Sequence, residues 1–181
     1  MDTTNIETYL NNFGQKVVDD AKANLQSDKG STAVGQSIRF EVVPTDTGFS
    51  TKFYMLDYGE FLDKGVSGNK EKRSFKNYKG QTQSSPYSYT SKGPPIDIIS
   101  KWIKKKGIEP KGLGRGRSKN TGQYISGFAY LISKKIKRDG IKSLSFFQQP
   151  FGIEYEKLNE EILTKLKLDI ETYITTFYRP K

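Results

Sequence analysis

From Thr4 to Leu25 apolar side chains recur at Ile6, Leu10, Phe13, Val17, Ala21 and Leu25, steps of three or four that place one stripe on one helical face. Thr3 or Thr4 is positioned to cap that helix, and the Ser, Asp and Gly of 26–35 read as the loop that ends it. The period then changes to two. Ile38, Phe40 and Val42 alternate with polar residues, Pro44 to Gly48 reads as a turn, and Phe49, Thr51, Phe53 and Met55 alternate on the way back. This pattern predicts an antiparallel hairpin with one buried face.

The stretch 67–91 has no sustained apolar period and reads as a long polar loop, with 66–93 as a protruding arm. Its aromatics, Phe75, Tyr78, Tyr87 and Tyr89, are candidate interface residues, because exposed aromatic side chains mark protein contacts more often than bases to stack on. Pro94-Pro95 opens a helix whose buried face is Ile96, Ile99 and Ile103, with Trp102 beside them, and Gly107 stops it. Residues 108–122 read as a Gly-rich basic loop. Ile125, Phe128, Ala129, Ile132 and Ile136 define a further helix closed by Gly140, followed by a strand or extended segment over 141–151. Tyr155, Leu158, Ile162, Leu166, Ile170, Tyr173 and Phe177 then step by three or four, predicting a long amphipathic helix over 153–178. The fold class expected is α+β: a single domain over 1–181 with a hairpin packed against helices, long amphipathic helices near both ends and a long polar loop.

Composition sharpens this picture through what it excludes. The 181 residues contain neither His nor Cys, which removes disulfides, thiolate nucleophiles, Ser-His and Cys-His hydrolases and His- or Cys-based zinc sites. Two glycine patterns are also set aside. Gly30 to Ser37 has P-loop spacing but carries Gln36 where the phosphate-binding Lys belongs, and Gly112, Gly114 and Gly116 lack dinucleotide-binding spacing. Asp57, Glu60 and Asp63 are close in sequence, yet they match no calcium-binding loop and read as a solvated acidic turn, so no catalytic, metal or cofactor residue is assigned. No apolar run reaches the ~20 residues of a membrane span, and Met1 to Asn5 has neither the basic start nor the apolar centre of a signal peptide. A soluble protein without a membrane partner is expected.

Charge is unevenly placed. The total is +10, and Lys101 to Lys142 alone holds 13 basic residues against Glu109 and Asp139. Lys104, Lys105, Lys106, Arg115, Arg117 and Lys119 are therefore candidate contacts for nucleic-acid backbone or an acidic partner, and a lysine-rich solvated helix end with a polar loop is the plain alternative.

Three pieces of the chain, in order, carry a resemblance. They are the turn Phe61-Leu62-Asp63-Lys64-Gly65; a proline-started helix with Pro95, Trp102, Lys106 and Gly107; and a helix with Ala129, Ile132, Ile136, Gly140 and Ile141 that runs on to Phe146 and Phe147. Over about residues 53–151 this order resembles the head-to-tail joining and tail-completion proteins of tailed phages, a family that includes proteins like minor tail protein Z. The resemblance implies a non-enzymatic α+β protomer, assembled in the host cytoplasm into a closed ring at the virion neck. Its neighbours there would be copies of itself, portal-side connector proteins and tail proteins, with DNA passing through. It implies no cofactor. The long polar loop, the Gly-Arg insertion after Gly107 and the extended final helix depart from the family pattern.

Overall fold

The structure is a computed structural model and describes residues 3–27, 32–108, 115–117 and 124–177. It is α+β, and the chain folds into two compact units. The first comprises 1–63, 76–82 and 145–181; the second comprises 64–75 and 83–144.

In the first unit, α1 (Thr4–Ser27) is followed by the short α2 (Thr32–Ser37), which the sequence pattern does not announce. Leu10, Phe13, Val17, Ala21 and Leu25 are buried along α1 as the periodicity requires, joined by Val18, and Val34 and Ile38 are buried in and just after α2. β1 (Arg39–Thr45) and β2 (Gly48–Tyr54) form the expected antiparallel hairpin, with Phe40 opposite Phe53 and Val42 opposite Thr51. Gly14 is buried where α1 meets this hairpin, because any Cβ there would run into the Phe40 ring. The short α3 (Tyr58–Lys64) comes next. The final helix, α6 (Gln148–Phe177), starts well before the expected position. Pro150 in its first turn is compatible with a helix start, since proline lacks only an N–H that no turn of helix would use there.

Aromatic rings fill the space between these elements. Phe53 meets Phe13, Phe147 and Phe151 edge-on at centroid distances of 6.2, 5.3 and 5.9 Å, and Phe151 stacks on Tyr155 at 5.7 Å. Phe146, just before α6, is fully buried. Carboxylates from distant parts of the chain cap both long helices. Asp169 Oδ1 and Oδ2 accept the backbone N–H groups of Asn5 and Ile6 at 3.1 Å each, and Oδ1 also accepts Asn5 Nδ2 at 2.7 Å. Asp63 Oδ1 accepts the N–H of Phe147 at 2.8 Å at the start of α6. An acid at a helix N-terminus satisfies orphan donors and meets the positive end of the dipole.

In the second unit, α4 (Ile96–Lys105) packs on α5 (Gly127–Asp139) through Ile99, Ile103 and Ala129, flanked by Ile96, Phe128, Ile132 and Ile136. Trp102 lies off this seam and is 47% exposed, a correction to its placement on the buried face. Ile125 belongs to β6 (Tyr124–Ser126), which pairs antiparallel with β5 (Arg115–Arg117), so part of the expected basic loop is a strand.

The expected protruding arm is also corrected: the stretch after Gly65 folds back on the end of α5. Val66 and Ile141 exchange backbone bonds of 2.9 and 2.7 Å, and Ser67 bonds with Tyr87 and Tyr89 at 2.8 Å each. The last carbonyls of α5 accept the N–H of Asn69 and of Lys70 and the Arg73 Nε–H at 2.8–3.0 Å, so a segment without apolar period is ordered by completing a helix end. The short strands β3 (Ser74–Lys76) and β4 (Thr82–Ser84) pair along the same stretch.

Candidate functional site

The aromatic residues expected to form one interface are dispersed. Phe75 is buried, and Tyr87 and Tyr89 are half-buried in the second unit, where burial raises the Tyr89 phenol above its ordinary value. Tyr78 belongs to the first unit and is 37% exposed, with its ring edge-on to Phe151 and Tyr155. The acidic trio is dispersed in role. Asp63 is buried as the cap of α6, Asp57 is exposed, and among the described residues no three acidic side chains converge as a cation site would require.

Sequence periodicity did not mark which apolar side chains of α6 are exposed. The face of α6 turned to α1 carries Glu154, Leu158, Ile162 and Asp169, of which the two acids are buried. Glu154 sits against Lys16 at 2.9 Å and Lys157 at 2.8 Å. Burial pushes its carboxyl up, but the two ammonium groups outweigh this and hold it below its ordinary value. Because buried charges occupy that face, the apolar stripe is rotated outward. Leu163 is 68% exposed, and Leu166, Ile170, Tyr173 and Ile174 are all exposed. Asp169 marks the first turn of α1, so α6 continues for about two more turns past it, at 3.6 residues per turn, and every side chain from Ile170 to Thr176 is exposed. Just before this stretch, Lys167 pairs with Glu171 at 3.7 Å. A second exposed apolar patch, Leu56, Tyr58 and Phe61, lies around α3 with Asp57 and Glu60 among it.

Compared with protein-family models, curated proteins and solved structures, the chain matches none of them.

The second unit carries the other surface. By sequence it has 18 basic residues against four acidic ones, net +14, while the first has 12 against 16, net −4. Lys104, Lys105 and Lys106 are exposed at the end of α4, with Lys101 one turn earlier. Arg115 and Arg117 lie in β5, opposite Ser126 and Tyr124, and Lys119 falls outside the described residues. The lysines are not consumed in closing α4. Gly107, at φ 64°, donates to the Lys104 carbonyl at 3.1 Å, and Ile108 donates to that of Ile103 at 3.1 Å, so backbone amides satisfy the end of the helix. Only Gly takes that left-handed conformation without strain.

Proposed function

We propose that the protein is a non-enzymatic assembly component that joins copies of itself into a closed ring, as part of the head-to-tail connector or tail-completion layer of a tailed-phage neck. The observation that carries the assembly reading is the exposed stripe of α6, which starts alongside α1 with Leu163 and Leu166 and runs on beyond the start of α1 with Ile170 and Tyr173. Isolated helical turns are marginal in water, and a 3-4-3 apolar spacing is the pattern with which a helix meets a neighbour.

A second copy is the occupant that fits. The α6 stripe offers Leu166, Ile170 and Tyr173 and the α3 patch offers Leu56, Tyr58 and Phe61, two different exposed apolar surfaces, each able to cover the other. Two different patches that complement one another make a head-to-tail contact, and such contacts close into rings when the rotation permits. The strip from Leu163 to Tyr173 is only about 15 Å long at 1.5 Å per residue. One such contact falls short of the roughly 800 Å² each partner gives in a stable pair, and closure of the ring supplies the remaining stability. The virion setting rests on the resemblance of the α3 turn, α4 and α5 to neck proteins.

Light scattering with electron microscopy of the purified chain tests this. Closed oligomers are expected from the native chain, and monomers from the triple variant Leu163→Ser, Ile170→Ser, Tyr173→Ser. A Phe61→Ser variant should also be monomeric, and mixing the two variants should give no closed oligomers, because the one contact left intact cannot propagate around a ring. A native chain that stays monomeric under all assembly conditions would remove the reading.

A further inference from the structure

The charge of the second unit asks for a partner that the first unit cannot supply. Of its three described carboxylates, Glu71 bonds Arg73 at 2.7 Å, Asp139 pairs with Arg138, and Asp97 sits in the first turn of α4, two turns before Lys104, Lys105 and Lys106. Lys101, Lys104, Lys105 and Lys106 on α4, and Lys134 and Lys135 on α5, are exposed, with no ion-pair partner among the described residues. The two helices bury their seam against each other, which confines these cations to the faces left outside.

We infer that the α4–α5 face of the second unit binds nucleic-acid backbone. Magnitudes decide this against an acidic surface on another copy. The first unit carries −4 against +14, so head-to-tail packing leaves each copy near +10, and a ring multiplies that excess. A phosphate backbone neutralises such a surface with a gain in counterion entropy. Trp102 adds a second feature of the same chemistry. It is the only tryptophan in the chain, is 47% exposed, and stands beside Lys101 with Lys105 and Lys106 one turn on, an aromatic plane among cations. No base-reading motif accompanies it, so the contact is indifferent to sequence. The inference rests on charge and not on α6, so it stands or falls separately from ring assembly.

The test is titration of the full chain with a labelled random-sequence 30-base-pair DNA duplex, following anisotropy and Trp102 emission from 50 to 200 mM salt. Binding is expected to weaken by about a hundredfold over that range if four phosphates are neutralised, with Trp102 emission changing in step. Replacing Lys101, Lys104, Lys105 and Lys106 together by Gln should remove most of the salt dependence, and replacing all four by Arg should preserve it. Replacing Lys52, Lys76 and Lys79 of the first unit by Gln should change little. Four outcomes would overturn the inference: no binding at 50 mM salt; binding with Trp102 emission unchanged; equal loss in the first-unit control; or binding to poly-glutamate but not to DNA. If DNA binding fails while the native chain still forms closed oligomers, only this inference is lost.

Discussion

The two units solve the problem of staying folded in different ways. The first has a broad apolar interior, from Leu10 and Phe13 through Val17, Val34 and Ile38 to Phe146, and carries a small negative charge. In the second the buried apolar side chains are only Val66, Phe75, Ile99, Ile103 and Ala129 among the described residues, beneath a large positive charge. It compensates with backbone bonds, the segment after Gly65 closing the end of α5. One unit is specified by side-chain packing, the other to a large extent by satisfied main-chain groups.

That contrast breaks most visibly at Phe146 and Gly140. Phe146→Ala removes a fully buried ring and is expected to destabilise the first unit by about 3–5 kcal/mol. Gly140 has φ 73°, and a Cβ there would meet the Val66 carbonyl and the Gly68 amide. Gly140→Ala should therefore cost at least the ~1–2 kcal/mol of left-handed strain, and it should act on the second unit. Hydrogen exchange read peptide by peptide checks both. Phe146→Ala should deprotect α1 and α6 first, and Gly140→Ala should deprotect 66–73 and α5. If the two variants gave the same exchange pattern, the units would not be separate in stability.

What was legible in the sequence follows the same division. α1 could be read from spacing because its buried positions are apolar and periodic, and the β1–β2 hairpin because its apolar residues alternate on either side of the Pro44 to Gly48 turn. α4 and α5 could be read for the same reason, down to the seam of Ile99, Ile103 and Ala129. The fold of 66–91 was not legible, since its order comes from main-chain bonds to α5 that leave no side-chain period. The face that α6 turns inward was not legible for a more instructive reason: periodicity finds the apolar stripe but does not say which face is inside. Glu154 and Asp169 were the signal that it missed, acids spaced along one face of a helix that end up buried against lysines and a helix N-terminus. The lysine cluster was visible as a run of charge. Its confinement to one structural unit was not, because 64–75 and 83–144 come together only in the fold.

Asp169 sharpens the comparison at the next level down. Its carboxylate receives three hydrogen bonds from Asn5 and Ile6 and is 1% exposed. Asp169→Ala should cost about 1–2 kcal/mol, because the start of α1 loses a charged capping acceptor, and Asp169→Asn should recover part of that. The loss should appear as fraying of the first turn of α1, and exchange in α4 and α5 should not change. The cap also fixes where α6 leaves α1, so the alanine variant should weaken ring formation while leaving DNA binding as it was.

The smallest effect expected concerns the Glu154 pair, since Lys16 and Lys157 have side chains 54% and 48% exposed and solvent screens much of their attraction. Its sign is nevertheless definite. The Glu154 carboxyl is held below its ordinary 4.5, so its contribution is present above that value and is lost as pH falls through the lowered one. Lys16 is raised, chiefly by its hydrogen bond to Glu154, so its share is present at neutral pH and is lost only as pH rises through that raised value. Thermal unfolding followed from pH 3 to 7 should show the native chain losing stability at the acid end more steeply than a Glu154→Gln variant, which has no carboxyl to protonate there. Identical slopes would mean that the lysines on either side of Glu154 do not hold α6 against α1, and that the aromatic packing around Phe151 and the Asp169 cap fix the two helices by themselves.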